Sequence, residues 1–136
     1  MVRIDENYLG DLRCEAVHAP SGKRLVTDAP VDNQGRGESF SPTDLVATAL
    51  GSCIATIMGI YARTNGVSLE GMRFHVEKTM TAQAPRRIAR LDVLFEMPAG
   101  IDPKARRAFE VCAETCPVRL SLRADIEVPV QFKYPD

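Results

Sequence analysis

Hydrophobic and polar positions change their period several times along the chain, and each change marks an element. Leu12, Cys14, Ala16 and His18 alternate with Arg13, Glu15 and Val17, the period-two pattern of a half-buried strand. "APSGK" follows as a turn, because Pro, Ser and Gly each favour one. "RLVTDA" returns as a second strand, and "PVDNQGRGES" is a loop rich in Gly, Asn and Asp. The period then becomes helical. Ser41 suits an N-cap and Pro42 the first helical position. Asp44 falls where an acid can close a capping box, and Phe40 and Leu45 can form a hydrophobic staple across it. This helix is expected from Pro42 to about Thr64, ending before Asn65-Gly66. Its polar stripe is thin and made mostly of small residues: Asp44, Thr48, Ser52 and Thr56. A helix so apolar around its circumference should be buried on most sides, and small side chains would let another element approach closely.

Two more strands follow. Phe74, Val76 and Met80 alternate with Arg73, His75, Glu77 and Thr79; after "TAQAPRR", Leu91, Val93, Phe95 and Met97 alternate with Arg90, Asp92 and Glu96. Asp102 is the N-cap of a second helix, with Pro103 at its first position and Ala105, Ala108, Phe109 and Cys112 as its apolar face. Pro117 limits that helix and puts Cys116 at its end, since a residue before proline avoids helical angles. "VRLSL" forms a short further turn, and "ADIEVPVQFKY" closes the chain as a strand with Ile126, Val128, Val130 and Phe132 on one face. The order ββ-α-ββ-α-β predicts an α+β fold, with helices packed on antiparallel strands.

The length of 136 residues suits one domain, residues 1–136, with a modest core. A formal net charge of -1 gives no bulk attraction to nucleic acid or to an acidic membrane, and the absence of Trp argues against a base-stacking platform. The opening "MVRIDENYLG" is too charged for a secretory signal. The apolar run from Leu45 to Ala62 is interrupted by Thr48, Ser52 and Thr56, and its length is at the low end for a bilayer span. A buried helix in a cytoplasmic protein is expected, with neither nucleic acid nor membrane as partner.

The chemistry rests on four cysteines, Cys14, Cys53, Cys112 and Cys116, which in such a chain read as thiols, redox groups or metal ligands. Cys53 lies about three turns inside its helix, beyond useful reach of the helix dipole, and its apolar setting should raise its pKa. By position alone it reads first as a small buried hydrophobe, and a reactive role needs a partner from elsewhere. Cys116, at a change of backbone direction, should be the more accessible. Together they could act as attacking and resolving thiols toward a peroxide. Cys112, Cys116, His18 and His75 are too scattered for a zinc site, so no metal or cofactor is expected. His75 and the basic run Arg86-Arg87-Ile88-Ala89-Arg90 read as solvated surface. No Ser-His-Asp order, phosphate loop or dinucleotide glycine pattern stands out.

"FSPTDLVATALGSCIATIMGIYA", followed far downstream by "ETCPVRLSL", resembles the OsmC/Ohr family over nearly the whole chain. The resemblance implies an intertwined homodimer, with antiparallel sheets from both chains around two central helices and active sites at the dimer interface. It also implies a thiol-dependent peroxidase: Cys53 attacks organic or hydrogen peroxides, Cys116 resolves the sulfenate, and a dithiol reductant, lipoyl in the organic-hydroperoxide branch, reduces the disulfide. In the family a glutamate and an arginine hold the attacking thiolate. Thr43 stands at the usual glutamate position, with the acid one residue later as Asp44; a one-residue shift rotates a helical side chain by about 100°. Asp44 either serves the role in another geometry or only caps the helix. The arginine is Arg36, Arg13 or Arg24. The alternative is a non-enzymatic OsmC-like dimer with a ligand-binding or redox-sensing role.

Overall fold

The computed structural model describes residues 1–135; Asp136, the last residue of the expected domain, lies outside the described residues. The elements run β1 (Ile4–Gly10), β2 (Arg13–His18), β3 (Arg24–Asp28), a 3-10 turn (Val31–Asn33), α1 (Pro42–Asn65), β4 (Arg73–Met80), β5 (Ile88–Glu96), α2 (Pro103–Thr115), α3 (Pro117–Ser121) and β6 (Val130–Lys133). They group into two compact units, residues 1–46 and the remainder from Ala47 onward.

The first unit is the antiparallel sheet β1-β2-β3. β1 goes beyond the sequence expectation, and the reason is physical: five of its seven side chains are exposed, so it has no apolar face to produce a pattern. Backbone pairing to β2, from Ile4 opposite His18 to Tyr8 opposite Cys14, holds it in place. Leu12, expected at the start of a strand, instead sits in the β1-β2 turn. Asp11 and Leu12 both have positive φ, 52° and 62°, as a tight hairpin between right-twisted strands demands. The loop after β3 folds back on itself: the Asp28 N–H donates to the Phe40 carbonyl and the Gly37 N–H to the Ala29 carbonyl. At Gly35 a Cβ would meet the Ala29 carbonyl oxygen at 1.7 Å, so only glycine can make this return.

The second unit carries the larger core. Leu91, Val93, Phe95 and Met97 are all buried, as their alternation predicts. Phe95 lies between Phe74 and Phe132, with centroids at 5.1 and 5.3 Å. Tyr61 of α1 meets Phe109 of α2 edge-on at 5.7 Å, an arrangement the ring quadrupoles favour. The sheet order is β4-β5-β6, and here one pairing departs from the antiparallel expectation: β6 runs parallel to β5. Between β5 and β6 the chain crosses over through α2 and α3 and returns to the same end of the sheet, which is the connection a parallel pair requires. Pro129 falls within the expected last strand, and regular pairing is confined to Val130–Lys133.

α1 matches its predicted limits to within a residue, but the expectation that it is buried on most sides is corrected. Ala47, Leu50, Gly51, Ile54, Met58 and Ala62 are buried, whereas Thr48, Ser52, Thr56 and Ile60 are exposed. The helix is long and apolar enough to cross a membrane by length and composition. The exposed side carries the expected polar stripe of Thr48, Ser52 and Thr56 together with one large apolar side chain, Ile60. At Gly51 an added Cβ would come within 2.9 Å of Val76 Cγ2 and 3.3 Å of the Phe74 ring, so the missing side chain is what lets α1 lie directly on β4.

Candidate functional site

Two of the sequence-predicted residues meet within the second unit. Cys53 projects from the middle of α1, two residues beyond the Gly51 crossing, and is half-buried. Pro117 ends α2 and forces Cys116 into an extended conformation, φ -63° and ψ 144°, between α2 and α3. There its side chain turns back over the first turn of α3, where Sγ accepts the Arg119 N–H at 3.3 Å. The Cys53 thiol is near enough to influence it electrostatically. Cys116, expected to be the more accessible thiol, is fully buried, and the half-buried Cys53 is the one that solvent can reach. All four cysteines are free thiols.

Burial is the largest influence on Cys116 and pushes its thiol above the usual cysteine range; the backbone N–H of Arg119 opposes this, and the neighbouring Cys53 adds to the rise. Cys116 is therefore held as a protonated thiol. Cys112, one turn earlier in α2, is also buried, and burial raises its pKa too. Cys14 lies on β2 in the first unit, where its backbone exchanges hydrogen bonds with the Thr27 hydroxyl.

The other predicted residues belong to the first unit. Asp44 and Ser41 form a reciprocal capping box: Asp44 Oδ2 accepts the Ser41 N–H at 2.9 Å and Ser41 Oγ accepts the Asp44 N–H at 3.1 Å. Arg36 is 71% exposed and Arg13 28% exposed; each approaches Glu38 at 3.9 Å. Arg24 pairs with Glu15 at 2.8 Å across β2 and β3.

Asp28 escaped the sequence reading. It is 1% exposed; Oδ2 accepts the Glu38 N–H at 3.0 Å, while Oδ1 has no partner. The available signal was an acid at the end of a strand, just before a Pro- and Gly-rich loop whose return it anchors. Among the described residues no group of three or more His, Cys, Asp or Glu side chains could hold a metal ion. A cleft of about 810 Å³ is walled by Glu114 of α2, Arg119 and Leu120 of α3, Leu122, and Val130 and Phe132 of β6; neither Cys53 nor Cys116 lines it.

The model of the family described as OsmC-like protein matches residues 35–131. No curated protein matches the chain. A solved protein from Psychrobacter arcticus, described as an osmotic stress induced and detoxification response protein, is 43% identical, with a TM-score of 0.91 over 97% of this chain and 96% of that one. Two more distant structures share the fold. An organic hydroperoxide resistance protein OsmC from Legionella pneumophila is 17% identical, with a TM-score of 0.76 over 98% of this chain and 96% of that one. An organic hydroperoxide resistance protein from Elizabethkingia anophelis is 12% identical, with a TM-score of 0.79 and the same two coverages. With most of its length matched by the family model and a relative of this identity along almost all of it, the chain belongs to the OsmC-like family.

Proposed function

We propose that the protein is a thiol-dependent peroxidase for organic or hydrogen peroxides, with Cys53 attacking and Cys116 resolving. The observation that carries this reading is that the two thiols, 63 residues apart in the chain, are close enough for Cys53 to raise the Cys116 pKa. The Cys53 thiolate attacks the outer peroxide oxygen; the O–O bond breaks, the alcohol or water leaves with a proton, and Cys53 becomes a sulfenic acid. Cys116 then attacks that sulfur, the S–S bond forms, and the hydroxyl leaves as water. A dithiol reduces the disulfide and is itself oxidised. The division of roles follows from burial: the protonated, enclosed Cys116 is poorly suited to a first encounter with peroxide, whereas half-buried Cys53 can meet it. Four free thiols suit a reducing compartment such as the cytoplasm. The names of the Legionella and Elizabethkingia structures support peroxide chemistry for this fold.

A homodimer is part of the same reading. The uncovered side of α1, with Ile60 57% exposed, and the exposed Tyr8, Leu9 and Leu25 of the first sheet leave apolar surface that a second copy would bury.

One observation favours the alternative, a non-enzymatic dimer that binds a ligand or senses redox state: the acid nearest the expected glutamate position, Asp44, forms the helix cap. Thiol titration after one equivalent of cumene hydroperoxide or hydrogen peroxide, with mass mapping of the product, separates the two. Fast loss of two thiols per chain as Cys53–Cys116 disulfide is expected. Loss no faster than that of free cysteine would give the alternative the lead.

A further inference from the structure

Cys116 Sγ stands in two structures at once. It neighbours the Cys53 thiol, and it is the N-cap of α3 through the Arg119 N–H. α3 is only five residues long, and a helix so short has no stability of its own. Its further ties are the Leu120 N–H to the Cys116 carbonyl at 3.1 Å, the Ser121 hydroxyl to the Pro117 carbonyl at 2.8 Å, and the Leu122 N–H to the Arg119 carbonyl at 3.3 Å. Pro117 contributes no N–H, so the sulfur satisfies one of the few amide donors in the first turn. α3 in turn supplies Arg119 and Leu120 to the wall of the cleft that α2 and β6 also line.

We propose that oxidation of the Cys53–Cys116 pair uncaps α3, making the resolving sulfur a redox-operated latch on that cleft wall. The inference rests on the peroxidase reading for its physiological oxidant, a hydroperoxide. Two thiols and one hydroperoxide yield the disulfide, an alcohol and water, so the electrons that close the S–S bond come from the two sulfurs. A disulfide of about 2.05 Å is far shorter than any non-bonded separation of two sulfurs, and both thiols are free here, so one of them must move by roughly 1 Å or more. Cys53 is set in the unbroken middle of a 24-residue helix, whereas Cys116 sits at an extended junction. The junction yields, and a 3.3 Å N–H···S contact does not survive a shift of that size. The reduced protein keeps its cap and encloses Cys116. The oxidised protein loses the cap and loosens α3, and with it the part of the cleft wall that Arg119 and Leu120 form.

The test is amide exchange across residues 117–122 in the whole protein, reduced and after oxidation. One sample receives cumene hydroperoxide and a second receives diamide, and disulfide content is mapped in both. On disulfide formation exchange at Arg119 should rise about five-fold, the effect of losing a typical cap, while α2 stays protected. Cys116→Ala should exchange fast without oxidant. Cys116→Ser, whose hydroxyl can cap, should exchange slowly and ignore oxidant. A Cys53–Cys116 disulfide that leaves α3 exchange unchanged overturns the latch, as does failure of both oxidants to form that disulfide. If diamide forms the disulfide and loosens α3 but hydroperoxide does not react, the latch stands and the peroxidase reading fails.

Discussion

The sheet of residues 1–46 and the sheet that follows it have three strands each, yet they are held in different ways. β1-β2-β3 is a meander of adjacent antiparallel strands, in which Ala16, Thr27 and Asp28 are the only buried side chains. Backbone pairing and tight local turns hold it. β4-β5-β6 adds to one antiparallel pair of neighbouring strands a third that is distant in sequence and parallel, around fully buried Leu91 and Phe95. Local turns can shape a sheet without a core, whereas a crossover connection gains nothing until side chains bury apolar area against one another. The two neighbouring thiols lie in the second, core-supported region, where packing brings together segments distant in sequence. The first sheet leaves Tyr8, Leu9 and Leu25 in the open.

The largest expected effect separates the roles of the two thiols. Cys53→Ser should abolish peroxide consumption, and Cys116→Ser should allow one turnover and then stall, measured as peroxide lost per chain. Full activity in the Cys53→Ser protein would falsify the mechanism. Next comes the contrast between the sheets. Phe95→Ala removes a ring fully enclosed between two others and should cost about 3–5 kcal/mol of unfolding free energy. Leu25→Ala, at an exposed position of β3, should stay within about 0.5 kcal/mol. Denaturant melts showing equal losses would erase the distinction; a large loss for Leu25→Ala that depends on protein concentration would sharpen it by revealing a covering second copy. Asp44→Ala should cost about 1 kcal/mol through the lost capping box. If Asp44 only caps, the rate of Cys53 oxidation stays put; a clear fall in that rate at full occupancy of the fold would give Asp44 the glutamate's role.

The smallest effect is in pH dependence. Burial raises the Cys112 and Cys116 pKa, so at any given pH less thiolate is present than in free cysteine. Iodoacetamide should label both more slowly in the folded protein, with the rate rising only above the ordinary cysteine range. The sign for stability agrees: a group whose folded pKa is raised contributes stability below its unfolded pKa, and that contribution is lost as the pH climbs through the folded value. Labelling of Cys116 as fast as free cysteine would show that its enclosure is absent in solution.

The chain determined by itself whatever depends on neighbours in sequence. The Ser41-Pro42-Asp44 start of α1, the Asp102-Pro103 start of α2, the break at Cys116-Pro117 and the alternation from Leu91 to Met97 are local chemistry, and each was legible. β1 was not, because a strand fixed by backbone pairing need not carry an apolar face. Nor was the direction of β6, since strand sense depends on where the crossover returns. The exposure of Ile60 on α1 depends on what packs against the helix, which no single helix records. That Cys53 and Cys116 are neighbours, and that Cys116 is the enclosed member of the pair, was decided only by tertiary structure. Tyr61 packs on Phe109 and α1 lies on β4 at Gly51; the small residues around Cys53 signalled that something packs closely there, but not which segment would bring Cys116 to it.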